Sequence, residues 1–197
     1  ADLYASEPVY RAAVDECLAI LRSRLNLDLK PLLYPAAGAE QAAAEQLQRP
    51  SLALPALLTA QIAQARLWQS WGIEPAAMIG HSMGEYTAAH LAGVFTLADA
   101  LTLVELRGRL FETLPEGAML SVPLAEAELA PLLTPDLAIA VINGPQLCVA
   151  SGPVASIEAL QRRLADMEID AARVRINVPA HSPMLEPILA RFGAFLR

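Results

Sequence analysis

The 197-residue chain has no run of about 18 uninterrupted apolar residues, because Gln, Arg, Thr and Pro break every candidate, so no membrane-spanning helix is expected. It has no Lys/Arg cluster, and a net charge of -7 argues against a nucleic-acid partner or an anionic membrane surface. Cysteine is nearly missing. Cys17 and Cys148 stand far apart in apolar surroundings without metal-ligand spacing, which points to reduced core residues of a cytoplasmic protein. There is no signal peptide and no initiating Met before Ala1-Asp2-Leu3, so the sequence is expected to be a piece of something longer. What is abundant is apolar: 55% of residues are hydrophobic, enough for one large domain or a domain with a small insertion.

Helical periodicity dominates the first half. Between Glu7 and Leu25, apolar residues at Val9, Tyr10, Ala13, Val14, Cys17, Leu18 and Leu21 mark one face of a helix, with Ser6 as N-cap and Pro8 in the first turn. Leu27 to Tyr34 is short and apolar, and Ala39 to Gln48 reads as a weak helix or loop. A long helix is predicted from Pro55 to Trp71, its face formed by Leu57, Leu58, Ile62, Ala65, Leu67 and Trp68, with Gly72 closing it. After Gly93-Val94-Phe95, Thr96 caps a further helix from Leu97 to about Leu114.

From Ala118 the pattern changes. Strands at Ala118–Val122, Leu137–Ile142, Leu147–Ala150 and Ala172–Ile176 alternate with helices at Ala125–Leu133 and Pro153–Met167, which is the βαββαβ order of a ferredoxin-like unit. The fold class expected is α/β: a large α/β-hydrolase-like subdomain over residues 1–116, an inserted ferredoxin-like subdomain over 117–176, and a return to the large one over 177–197. Asn143 is read as a turn former.

Three positions carry chemistry. Ala76-Ala77-Met78-Ile79 reads as a buried parallel strand running into Gly80-His81-Ser82-Met83-Gly84-Glu85, a G-x-S-x-G nucleophile elbow. Both glycines are expected to remove clashing side chains, and the amides of Met83 and Gly84 to face an oxyanion formed beside Ser82. Arg107 has Leu103, Val104, Leu110 and Phe111 as its helical neighbours, so it projects from an apolar face while Arg109 points away. A guanidinium there needs a carboxylate, carbonyls or an anionic ligand; a structural ion pair and a bound substrate carboxylate fit equally well. His181 sits at a strand-to-helix junction, where Ser182 as N-cap and Pro183 begin the last helix, a suitable place for a held general base. His81 is expected to turn away from Ser82, and His90 to be structural.

Gly80-His81-Ser82-Met83-Gly84-Glu85-Tyr86, Val104-Glu105-Leu106-Arg107-Gly108, Ile142-Asn143-Gly144-Pro145 and Ala180-His181-Ser182, in this order and spacing, resemble the acyltransferase domain of modular type I polyketide synthases and the malonyl-CoA:acyl-carrier-protein transacylases of fatty-acid synthesis. The resemblance runs over nearly the whole chain. It implies that Ser82 is the acylated nucleophile, His181 its base, and Arg107 the residue holding the free carboxylate of a malonyl-type unit. His81, Met83 and Ala180 are placed among the substrate-binding residues. No cofactor is permanently bound; the substrates are acyl-CoA and the phosphopantetheine arm of an acyl carrier protein, and neighbouring ketosynthase and linker domains are the expected partners. The family's Gly-Gln-Gly-x-Gln segment would precede Ala1, and a later glutamine-containing stretch would follow Arg197. Without one oxyanion donor the barrier rises by roughly 3 kcal/mol, so weak activity or none is expected of the chain alone.

The implied mechanism is ping-pong, with malonyl favoured over methylmalonyl: Met83 resembles malonyl-type sequences, although a small Ala180 leaves room for a methyl branch. A serine thioesterase of α/β-hydrolase type is the alternative. It needs an acid between Ser82 and His181, and Asp136, Asp166 and Asp170 all fall in the ferredoxin-like stretch. An inert structural piece of a synthase is the third possibility.

Overall fold

The computed structural model describes residues 2–174, 176 and 178–196, and divides into two compact units, Ala1–Arg109 and Leu110–Arg197. Arg175 and Asn177, at the end of the expected last strand and the start of the His181 segment, lie outside the described residues.

The first unit is built on helices. After α1 (Asp2–Ser6), α2 (Pro8–Leu25) buries Ala13, Val14, Cys17, Leu18 and Leu21, the predicted face less Val9, which is exposed, and Tyr10, which is half-buried. Ser6 is not its cap. Ser6 ends α1, where its hydroxyl donates to the Asp2 carbonyl at 3.0 Å, and Glu7 is the N-cap. Short helices α3 (Lys30–Leu33) and α4 (Glu40–Gln46) lead to α5 (Pro50–Ser70), which begins five residues before the predicted start. Pro50 is the better opener, since its fixed φ suits the first helical position and its missing N–H has no intrahelical acceptor there to lose. Pro55 is carried inside the helix, with Thr59 Oγ1 donating to its carbonyl at 2.8 Å. Leu58, Ile62 and Leu67 are buried; Leu57 and Trp68 are exposed, against expectation. Gly72, at φ +80, ends α5 as predicted. The helices α6 (Gly84–Leu91) and α7 (Leu97–Phe111) follow. Thr96 caps α7: its Oγ1 accepts from the Asp99 amide at 3.1 Å.

The strand expected before Ser82 is not there. Residues Ala76 to Ile79 form no strand, all four are exposed, and Ile79 is 96% exposed. A strand is stabilised by its ladder, and the first unit supplies none among the described residues. Met78 instead lines an apolar groove of about 540 Å³ with Trp68, Ile73 and Pro75. That groove includes neither Ser82 nor Arg107.

The second unit has the predicted ferredoxin-like order. Its strands β1 (Gly117–Val122), β2 (Ala138–Gly144), β3 (Leu147–Pro153) and β4 (Ala172–Arg173) form one antiparallel sheet in the order β2-β3-β1-β4. Alternation along β1 sends Ala118, Leu120 and Val122 to one face. There they join Cys148 and Ala150 of β3, Leu129 of α8 (Glu126–Leu129), and Ile157, Leu160 and Leu164 of α9 (Val154–Asp166) in a single buried cluster. Asn143 is not in the turn. Pro145 and Gln146 make it, and Asn143 lies at the register shift between Ile142 and Gly144. The chain ends in α10 (Glu186–Phe195). Among the described residues, no helix is long and apolar enough to cross a membrane.

Both cysteines are buried free thiols. Loss of hydration pushes the Cys17 thiol up from its ordinary 9.0 to about 11. Below pH 9 the thiol is neutral in the folded and unfolded chain alike. Above it, the unfolded chain releases the proton first, so stability is lost as pH rises from 9 to 11, by about 2–3 kcal/mol. In urea titrations at pH 8 and pH 10.5, the stability difference between the parent and Cys17→Ala should therefore narrow at the higher pH.

Candidate active site

Ser82 is held in the left-handed region, at φ 50. A serine is uncommon there, and a turn keeps it there only when the surrounding contacts over-determine the backbone. Three of those contacts are visible. The Gly84 amide donates to the His81 carbonyl at 3.0 Å, the Glu85 amide to the Ser82 carbonyl at 3.1 Å, and the Gly80 amide to Glu85 Oε1 at 2.9 Å. The Glu85 carboxylate thus reaches back across the elbow and ties its entrance to its exit. Glu85 belongs to the elbow motif, but its spacing alone does not reveal this task.

The two glycines differ. A Cβ on Gly80 would lie 2.0 Å from the Glu85 backbone nitrogen and 2.2 Å from the Gly84 carbonyl carbon. A Cβ on Gly84 would meet nothing within 4 Å, so steric need explains only the first. The oxyanion expectation is corrected in the same way. Of the two amides expected to face an oxyanion beside Ser82, that of Gly84 is committed to the His81 carbonyl.

Arg107 lies at the same place. Its Nη1 is 3.4 Å from the Met83 sulfur, and its guanidinium stands over the Tyr86 ring at 5.4 Å. Arg109 does point away, exposed and paired with Glu105 across one helical turn at 2.8 Å. Gly108, beside it, lets α7 lie close to the start of α5: a Cβ there would be 2.4 Å from the Pro50 carbonyl oxygen and 2.6 Å from the Ser51 Cα. Neither Gly108 nor Tyr86 was singled out in the sequence. Both fell inside quoted motifs, but only packing reveals what they touch.

His181 belongs to the second unit, exposed and also left-handed at φ 58. The segment before it is anchored at buried Pro179, whose ring packs where a Cβ on Gly117 of β1 would be, 2.3 Å from the Pro179 Cβ. The segment after it is a turn: Ser182 Oγ donates to the Pro179 carbonyl at 2.7 Å and accepts from the Met184 amide at 3.3 Å, so Ser182 is a cap, but of the single 3-10 turn Pro183–Leu185 and not of the last helix, α10, whose N-cap is Leu185. Ala180 precedes it, half-buried. His81 is exposed, and His90 is structural, with Nδ1 3.1 Å from the Phe95 carbonyl. The structure therefore gathers Ser82, Met83 and Arg107 in the first unit and places Ala180 and His181 in the second. Of the acids between Ser82 and His181, Asp136 is engaged by Ser156 and Thr134, whose hydrogen bonds hold its carboxyl below the usual range.

Comparison with known proteins gives these residues a context. The family model described as "Acyl transferase domain" matches residues 1–194. A phenolphthiocerol/phthiocerol polyketide synthase of Mycobacterium tuberculosis is 37% identical over 194 residues, which are 98% of this chain and 13% of that protein. The acyl transferase domain of ZmaA superimposes with a TM-score of 0.87 at 42% identity, covering 99% of this chain and 45% of that one. FabD from Acinetobacter baumannii does so with a TM-score of 0.80 at 30% identity, covering 94% and 60%. The chain thus spans less than two thirds of each of these relatives. Its similarity to them supports the α/β fold class.

The elbow geometry predicts a contrast. Gly80→Ala should lower the free energy of unfolding by roughly 2 kcal/mol or more, because backbone must move to admit the methyl. Gly84→Ala should leave it unchanged or raise it by up to about 1 kcal/mol, since the change adds helix propensity in open space. Urea denaturation of both variants checks the pair.

Proposed function

Because the chain belongs to the acyl transferase domain family, we propose that it moves a malonyl-type acyl group from coenzyme A to Ser82 and then to the phosphopantetheine thiol of an acyl carrier protein. In the first half-reaction His181 takes the Ser82 proton and the oxygen attacks the thioester carbonyl. The carbon–sulfur bond breaks, and coenzyme A leaves as its thiol with the proton from His181. In the second, the carrier thiol gives its proton to His181 and its sulfur attacks the ester; Ser82 leaves and is reprotonated. The Met83 amide donates to the oxygen that carries charge in each step.

The observation that carries the malonyl assignment is the position of Arg107, whose guanidinium lies at the side chain of the residue following the nucleophile. An acyl group on Ser82 extends past that residue, and a terminal carboxylate pairs there with the guanidinium fork. Met83 also lines this space as a buried apolar wall. His181 is the base in this scheme on the strength of its left-handed, capped loop and the family's chemistry. Ala180 and His81 complete the substrate side. We place the reaction in the cytoplasm, within a larger synthase whose ketosynthase, linker and carrier domains are the partners, and with no permanently bound cofactor.

Arg107→Ala tests the assignment. It should lower kcat/KM for malonyl-CoA by about 10- to 150-fold, the weight of a charge-assisted hydrogen bond of roughly 1.5–3 kcal/mol, and lower that for acetyl-CoA far less. Equal losses on both thioesters would remove the carboxylate-binding role.

A further inference from the structure

We propose that Tyr86 is a positioning residue for Arg107, its ring face setting where the guanidinium stands and so selecting acyl groups that end in a carboxylate. The inference rests on the carboxylate-binding role proposed for Arg107. Met83 and Tyr86 are three residues apart where the chain enters α6, so they share one face of it. Arg107, arriving on α7, makes contact with both: the Met83 sulfur at 3.4 Å and the Tyr86 ring at 5.4 Å from its centroid.

These contacts have complementary effects. A thioether accepts only a weak hydrogen bond, so by itself it fixes one nitrogen loosely. An aromatic face attracts the whole cation through its quadrupole and has no competing negative charge of its own, so it holds a guanidinium without offering it a rival carboxylate. Tyr86 is itself steady, being partly buried against the core formed by α2, α5 and α7. The next residue, Thr87, is pinned to α5 by the hydrogen bond from its hydroxyl to Gln61 Oε1. The ring is thus a fixed platform on the same short helix that presents Ser82, and the distance from nucleophile to cation is set within one helical turn. The acyl chain that fits is short, with a carboxylate at its far end; a longer or monocarboxylic chain gains nothing from the arrangement.

The test compares the ratio of kcat/KM for malonyl-CoA to that for acetyl-CoA in the parent protein, Tyr86→Phe, Tyr86→Leu and Arg107→Ala. Tyr86→Phe keeps the ring face and should keep the ratio. Tyr86→Leu removes the face and should lower the ratio by about 3- to 30-fold, the span of a partly desolvated cation–π contact, mainly through KM for malonyl-CoA. An unchanged ratio in Tyr86→Leu, including parallel losses on both thioesters, would make Tyr86 merely structural and overturn the proposal. An unchanged ratio in Arg107→Ala would instead remove the carboxylate role itself, so the two failures are distinguishable.

Discussion

The left-handed backbone at Ser82 is the constraint on which the rest depends. A non-glycine residue in such a conformation costs of order 1–3 kcal/mol, and here short-range contacts hold it. Gly80 lets the incoming chain pass within contact distance of the Glu85 backbone, and the Glu85 carboxylate closes the loop from the other side. Reversing the chain at that point lifts the serine out of the helix and commits the Gly84 and Glu85 amides to the turn that opens α6. The positions of Met83 and Tyr86 follow from that reversal, and with them the surroundings of Arg107.

The second unit addresses a different problem with similar means. Its sheet and two helices make a core of their own, and residues 178–185 use that core as an anchor: Pro179 fills the space above Gly117, and Ser182 hydrogen-bonds back to it. His181 is left exposed on a tight, left-handed turn between two fixed points. Such a placement suits the proton-exchanging role proposed for this imidazole, which has to meet successive partners.

The sequence showed much of this because the relevant forces are local. The βαββαβ order followed from alternation and turn residues, and Thr96 and Ser182 were legible as caps because a side-chain oxygen next to an amide needs no distant partner. Pro50 was missed in favour of Pro55 because both suit a helix start, and only the chain between them, Ser51 to Leu54, shows that the helix is already under way. The strand expected before Ser82 failed for a non-local reason. Apolar residues in a row mark a buried strand only if a neighbour pairs with them, and the first unit supplies none among the described residues. Arg107 was found from the apolar positions around it. Its actual neighbours, Met83 and Tyr86, belong to another helix more than twenty residues away, and no periodicity connects them.

Acyl transfer through Ser82 is the claim that matters most, and mapping the covalent intermediate tests it most directly. The protein is mixed briefly with labelled malonyl-CoA, digested, and its peptides sequenced, with a parallel sample chased by carrier protein before digestion. The label should sit on Ser82 and pass to the carrier thiol faster than it is lost to water. Label on another residue, or release as free malonate at a rate indifferent to the carrier, would contradict transfer through this serine.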